Sequence, residues 1–234
     1  MTKIAAIHQP NFFPWLGFFD KIARSDVFVL LDNVQFPKTG GSWTNRVKLI
    51  IGGEVRWLTA SIDRSYHGTK QILEMEFVNN ERWKAKMIGS LQASYGRCEF
   101  YGETMTYLLP LIENPETNIA GFNINAIKVL CSQIGLDTSK FVTSSELAHH
   151  GMSNELLCSL TLNAGCTAYM CGGGADSYQN EDVFSKNGIK LLRQNFMHPR
   201  YVQREQTNFV PGLSIIDSLM NIGCRGVRDL LITA

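Results

Sequence analysis

The opening stretch restricts the fold more than any other part of the chain. "KIAAIHQ" (3–9) reads as a short buried strand. "PNFFPWLG" holds two prolines and a glycine, so a loop runs into the start of a helix. In "WLGFFDKIARSD" (15–26), Leu16, Phe19 and Ile22–Ala23 recur at helical spacing. "VFVLLDNV" (27–34) is a second strand, apolar enough to be buried on both faces. A β-loop-α-β unit of this length favours a parallel strand pair joined by a right-handed crossover.

The rest of the chain extends that pattern with one interruption. "TNRVKLIIGGEVRWLTASID" (44–63) places two β-rich runs around Gly52-Gly53, which predicts a hairpin. Helices are expected over 81–96, over 104–114 with a break at Pro110, and over 123–136. In the last, Ile124, Ile127, Leu130 and Ile134 form one stripe and Gly135 ends it. "KFVTSSEL" reads as strand then loop, and 152–165 as a helix that Ser153 could cap. "TAYMCGGG" (167–174) is a strand ending in glycines; a short helix, a strand and a last helix over 213–223 follow. The alternation of strands and helices predicts an α/β fold: a mainly parallel, Rossmann-like sheet flanked by helices, with an inserted β-hairpin. No linker splits the chain, so residues 1–234 are expected to form a single domain.

The net charge of +1 gives no global field for nucleic acid or anionic lipid. No apolar run reaches the ~18 residues of a membrane span, and the N-terminus lacks the pattern of a signal peptide. A cytoplasmic location is the expectation. The six cysteines form no C-x-x-C pair and are expected to be reduced. His149, His150 and His198 have no metal-ligand spacing, so no metal is expected.

Parallel sheets bind ligands beyond the carboxyl ends of their strands. His8, Asp32, Ser144, Ser145 and Gly172–Gly174 are all expected on that rim. His8 could bind a phosphate or carbonyl, or move a proton, or else bond the loop backbone; Gln9 adds an amide beside it. Trp15 could stack on a base or sugar, or be a core residue. Asp32 could accept from a sugar hydroxyl, an amine or a metal, or cap a turn; Gln35 follows it. Asn45 and Arg46 begin the hairpin, and an arginine fork suits a carboxylate or phosphate. "CGGGADSYQ" (171–179) could bring backbone N–H groups to a ligand, but completes neither the P-loop nor the dinucleotide fingerprint. Cys171 has no visible group to depress its pKa. "HPRYVQ" (198–203) and "LSIID" (213–217) are rich in donors and acceptors; Ser214 and Asp217 share a helical face, which an N-cap with a first-turn acid would also explain.

Together, "IHQPNFFPWLGFFDKIARSDVFVLLDNVQF", "TNRVKL", "VRWLTASI", "SSEL", "GGGADSYQNEDVFSKNGIKLLRQNF", "HPRYVQ" and "LSIIDSLMNIG" closely resemble the WbqC-like family, in order along nearly the whole chain. That family is found among genes for O-antigen and other bacterial surface polysaccharides. The resemblance implies transfer of a glycyl or other acyl group to a nucleotide-linked amino sugar. The donor would be a coenzyme A thioester or activated amino acid, or ATP would be used. His8 and Asp32 become the candidate catalytic residues. Gln9, Trp15, Gln35, Asn45, Arg46, Trp57, Gly172, Gly173, Gly174, Tyr178, Tyr201, Gln203, Ser214 and Asp217 become the candidate substrate contacts. The chain departs from the family pattern at "SNELL", where Lys/Thr-Glu-Arg-Leu is common, and at "YMCG", where Tyr-Leu-Ser-Gly is common.

The first loop is also similar in layout to the HIGH-motif nucleotidyltransferases, especially the pantothenate synthetase-like ones. Trp15 and Phe18 stand where those enzymes carry histidines, and Gly17 keeps its place. Both imidazoles that would stabilise transferring phosphates are gone. This likeness implies a nucleotidyltransferase-like (HUP-like) fold more than adenylation chemistry. An ATP-dependent ligase or nucleotidyltransferase would need cations near the loop, and Lys21, Arg24 and Lys38 are the candidates. A binding protein without catalysis is the third reading, and a homo-oligomer is left open.

Overall fold

The computed structural model describes residues 2–38, 42–173, 179–204 and 206–232. The opening unit is strand β1 (Ile4–His8), helix α1 (Leu16–Ala23) and strand β2 (Val27–Leu30). The hairpin of β3 (Arg46–Ile51) and β4 (Glu54–Thr59) follows. Helices α2 (Asn80–Tyr95), α3 (Tyr101–Glu113) and α4 (Ile119–Gln133) lead to β5 (Phe141–Thr143). The chain then forms α5 (Asn154–Asn163), β6 (Ala168–Cys171), α6 (Glu181–Lys186), β7 (Lys190–Arg193) and α7 (Ile215–Ile232).

Five strands form one parallel sheet in the order β5-β2-β1-β6-β7. The expected α/β architecture is therefore the one the chain adopts, with the hairpin as a separate two-stranded sheet. Alternating side chains serve opposite faces of the main sheet. Ala6, Phe28 and Leu30 join the larger core with residues of α1 to α4, the hairpin and α7. Ile7, Val29, Tyr169 and Cys171 join a smaller core with Cys158 and Leu160 of α5 and Phe184 of α6. In the hairpin, Gly52 and Gly53 have φ of 61° and 79°, the paired left-handed turn that the right-handed twist of a hairpin requires.

Three expectations about helices need correction. Pro110 does not interrupt α3. It lies on the exposed face, so water can reach the carbonyl of exposed Thr106 that its missing N–H leaves unpaired. Ser153 does not cap α5 through its side chain; its own backbone is left-handed, with φ of 53°. The last helix runs on to Ile232 across a kink at Gly223, whose φ is 68°.

Strand order positions the site. From β1 the chain moves outward to β2 and β5, then returns to the other side of β1 as β6. The connections leaving the ends of β1 and β6 therefore diverge, and a crevice opens between them. The loop after β1 is fixed on three sides. The N–H of Phe12 donates to the Trp43 carbonyl at 2.8 Å, and Ile215 donates to the Pro14 carbonyl at 2.7 Å. The buried Asn123 amide donates to the carbonyls of Pro10 (2.9 Å) and Thr44 (2.8 Å). These bonds hold Phe13 at φ of 44°, a strained backbone for a residue with a side chain.

Candidate functional site

A cavity of about 690 Å³ occupies the crevice at the ends of β1 and β6. Its volume falls in the range of small-molecule sites. Its walls come from the first loop and α1, the hairpin, the end of β6, and the segment between β7 and α7.

Lys21, in the last turn of α1, is buried and lines this cavity in an apolar setting. Its Nζ donates to the Ile7 carbonyl at 3.0 Å. Among the described residues no carboxylate pairs with it. Burial lowers its pKa to about 8, so the ammonium is still mostly charged at neutral pH. A buried cation with donors to spare is costly to fold and well suited to hold an anion.

His8 ends β1 and shares the cavity. Its Nδ1 lies 3.0 Å from the Gln9 carbonyl, so Nδ1 carries the proton and Nε2 keeps its lone pair. Burial first, and the Lys21 charge second, lower its pKa to about 4. The ring is therefore neutral near pH 7, and its plane is set against the edge of Phe18 with centroids 4.8 Å apart.

Trp15 precedes α1 and lines the same space. Its backbone bridges to Ser214 at the start of α7. The indole folds back over Gly17, where a Cβ would fall inside the ring. Gly17 therefore keeps its place here because the tryptophan needs the room. Gln194, just after β7, donates to the Gly17 carbonyl (2.6 Å) and to the buried Asp20 carboxylate (2.7 Å). That pair ties the far side of the sheet to α1 and closes the floor beside Gly172 and Gly173.

The model of the WbqC-like protein family matches residues 9–229. The chain belongs to the WbqC-like family. It is 28% identical over 224 residues to the uncharacterized protein Rv1507c of Mycobacterium tuberculosis, covering 95% of each chain. No solved structure matches it.

In this WbqC-like protein the residues singled out from sequence separate into two groups. His8, Trp15, Gly172 and Gly173 line the cavity. Gly174 and Tyr178 lie outside the described residues. Asp32 is absent from the lining. Its oxygens accept from the Ser144 hydroxyl (2.9 Å), the Ser145 N–H (3.0 Å) and the Ser145 hydroxyl (2.7 Å), which binds the turn after β5 to the end of β2. Gln9 offers its carbonyl to His8, and Gln35 is exposed and bridges to Gln71. Asn45 is buried and donates to the Ala60 carbonyl at 3.0 Å. The Arg46 guanidinium lies 4.2 Å from the Trp57 ring centre, and Trp57 meets Trp43, which lines the cavity. Tyr201, Gln203 and Asp217 form a buried cluster away from the cavity, and Ser214 donates to the Phe13 carbonyl at 2.7 Å. Of the three candidate cations, Lys21 enters the cavity. Arg24 binds Asp20 and the Gln194 carbonyl, and Lys38 is exposed over Tyr66.

Sequence reasoning passed over Asn11, Lys48, Gln194, His198 and Gly212, all of which line the cavity. Gln194 was within reach, because the strand-end rule applied to β7 selects it. His198 enters the sequence reading as a metal candidate and within the donor-rich "HPRYVQ", with nothing to place it at this cavity. Among the described residues no group of three or more His, Cys, Asp or Glu is placed to hold a metal ion, and no helix is long and apolar enough to cross a membrane. Cys171 is fully buried at the end of β6.

Proposed function

We propose that this WbqC-like protein is a cytoplasmic enzyme of bacterial surface-polysaccharide synthesis, O-antigen included, acting as one domain. It binds a nucleotide-linked amino sugar and transfers a glycyl-like aminoacyl or other acyl group to the sugar amine. The observation that supports this reading most is the buried Lys21 ammonium beside a neutral His8 at the crevice between β1 and β6. Lys21, with the N–H groups after β6, takes the phosphate oxygens. Trp15 offers a stacking face to the base or sugar.

In the transfer step the amine nitrogen attacks the acyl carbonyl carbon, a C–N bond forms, and the donor's leaving group departs with its bonding pair. The proton lost by nitrogen goes to Nε2 of His8, within the reach of general-base chemistry. His8 is assigned this role over Asp32 because the oxygens of Asp32 are taken by Ser144 and Ser145. An anion bound at Lys21 also offsets the charge that helps to depress the imidazole's pKa, so the acceptor-loaded site makes His8 a better base.

The position of Lys21 also favours a second reading, an ATP-dependent ligase or nucleotidyltransferase, because it supplies a phosphate-binding cation to a loop without histidines. Calorimetric titration with UDP, a UDP-amino sugar and ATP separates the readings. The expected result is binding of the UDP compounds, weakened at least tenfold by Lys21→Met, with no pyrophosphate released from ATP. Pyrophosphate release would move the assignment to the second reading. Absence of binding by every nucleotide would overturn both.

A further inference from the structure

The cavity carries a second set of polar groups beside Trp15. Lys48 of β3 and His198, in the segment after β7, both line it. They converge on Gly212: a Cβ there would stand 3.3 Å from Lys48 Nζ and 3.7 Å from Cε1 of His198. Gly212 itself has φ of 70°, so the chain turns there in a way that suits glycine. Lys48 Nζ donates to the Pro211 carbonyl at 3.2 Å and makes no ion pair among the described residues.

The imidazole of His198 is held in the tautomer opposite to that of His8. The N–H of Gly212 donates to its Nδ1 at 3.3 Å, so the proton of the neutral ring sits on Nε2. Nε2 has no other partner among the described residues. Two aromatic contacts hold the ring: Trp15 meets His198 at 5.1 Å and Phe196 meets it at 5.2 Å, while Trp15 and Phe196 pack edge to face with each other at 5.3 Å. Burial and the nearby Lys48 charge both lower the pKa of His198.

The two sets therefore differ in chemistry. His8 at the end of β1 and Lys21 of α1 supply one imidazole acceptor and one ammonium. Lys48 of the hairpin and His198 of the segment after β7 supply one ammonium and one imidazole donor. A single anionic group needs only one such set. We infer that Lys48 and the Nε2–H of His198 form a second anion subsite, separate from Lys21, which takes a phosphate or carboxylate oxygen. This deepens the proposed function, and rests on it for the identity of the ligand at Lys21. The second anion is either the far phosphate of the same nucleotide-linked sugar or a charged group on the acyl donor.

Inorganic phosphate is the probe, followed by NMR of labelled histidine and lysine side chains, with folding of each variant checked by its amide spectrum. Wild type should show two independent phosphate sites. One perturbs His198 and is lost in Lys48→Met and weakened several-fold in His198→Gln. The other perturbs His8 and is lost in Lys21→Met. One phosphate, abolished by Lys21→Met and unaffected by Lys48→Met, would overturn the second subsite and leave the proposed function intact. Two phosphates with no binding of UDP compounds would support the subsites and overturn the proposed ligand. Given two sites, displacement of both phosphates by UDP assigns the second subsite to the same nucleotide. Displacement only at Lys21 assigns it to the donor.

Discussion

The cavity and the Asp217 cluster are built from similar polar side chains, and they differ in how completely those side chains are partnered. Asp217 is fully buried. One of its oxygens accepts from the Tyr95 hydroxyl at 2.8 Å, and the other from Tyr201 at 2.7 Å and from Gln203 at 3.4 Å. Tyr95 in turn accepts from the Ile50 N–H at 3.1 Å, and Gln203 donates to the Val210 carbonyl at 2.9 Å. The cluster thus joins β3, α2, α7 and the segment before α7 with its capacity used up. In the cavity, Lys21 uses one donor, His8 and His198 each use one nitrogen, and the Asn11 side chain makes no hydrogen bond among the described residues. A closed network fixes a fold; an open one of equal polarity is held in readiness for something else.

The comparison can be broken at three points. The largest effect is expected from Asp217→Ala, which strands two buried tyrosine hydroxyls and should lower unfolding stability by about 2–5 kcal/mol. Ligand affinity of the folded fraction should stay unchanged. Urea denaturation and nucleotide titration on the same sample test this, and a stable variant that no longer binds would make the cluster part of the site.

Lys21→Met should act in the opposite sense. Because burial depresses its pKa from 10.5 to about 8, the charged form is disfavoured in the folded protein at every pH below that window. Removing the charge should raise stability at pH 7 by about 1–3 kcal/mol after the lost bond to Ile7 is counted. Binding should fall at least tenfold. A destabilised variant with intact binding would mean that the ammonium serves the fold.

The smallest effect concerns His8 and acid. The unfolded chain takes up a proton near pH 6.5, and the folded protein takes it up only near pH 4. Stability contributed by the neutral ring is therefore present above pH 6.5 and lost as pH falls toward 4. By pH 5.5 the loss should be about 1 kcal/mol. His8→Gln should remove that part of the pH dependence, as followed by urea midpoints from pH 7 to pH 5. An unchanged slope would place a protonated ring in the folded state.

The β-loop-α-β opening made the sheet legible, because apolar runs and their spacing report directly on parallel pairing. The strand-end rule put His8, Gly172 and Gly173 on the cavity rim, where they stand. Asp32 shows the limit of that logic: its carboxylate stands at a strand end but turns to Ser144 and Ser145. The two carboxylates could not be sorted from sequence, since the partners of Asp217 include Tyr95, at a separation of 122 positions. Lys48 was hidden by the alternation of a hairpin that looks like a surface element. Gly212 and His198 were hidden by a segment with no periodicity at all. The contacts that make them neighbours are long-range and leave no local trace.

The clamp on the first loop has a consequence for the order in which the protein acquires its properties. Ser214 reaches Phe13 across 201 positions, and Ile215 closes on Pro14 beside it. The β1–β2 pair needs only the neighbouring stretch of chain, so it can form from local encounters. The full curvature of the loop that carries Trp15 waits for α7, because Ser214 and Ile215 complete the hold on the strained Phe13 backbone that Trp43 and Asn123 begin. Loop closure over such a separation is slow compared with local pairing. Fixing of the recognition loop is thus a late event of folding: a nascent chain short of α7 can hold it through Trp43 and Asn123 but lacks the bonds from Ser214 and Ile215 that complete its curvature.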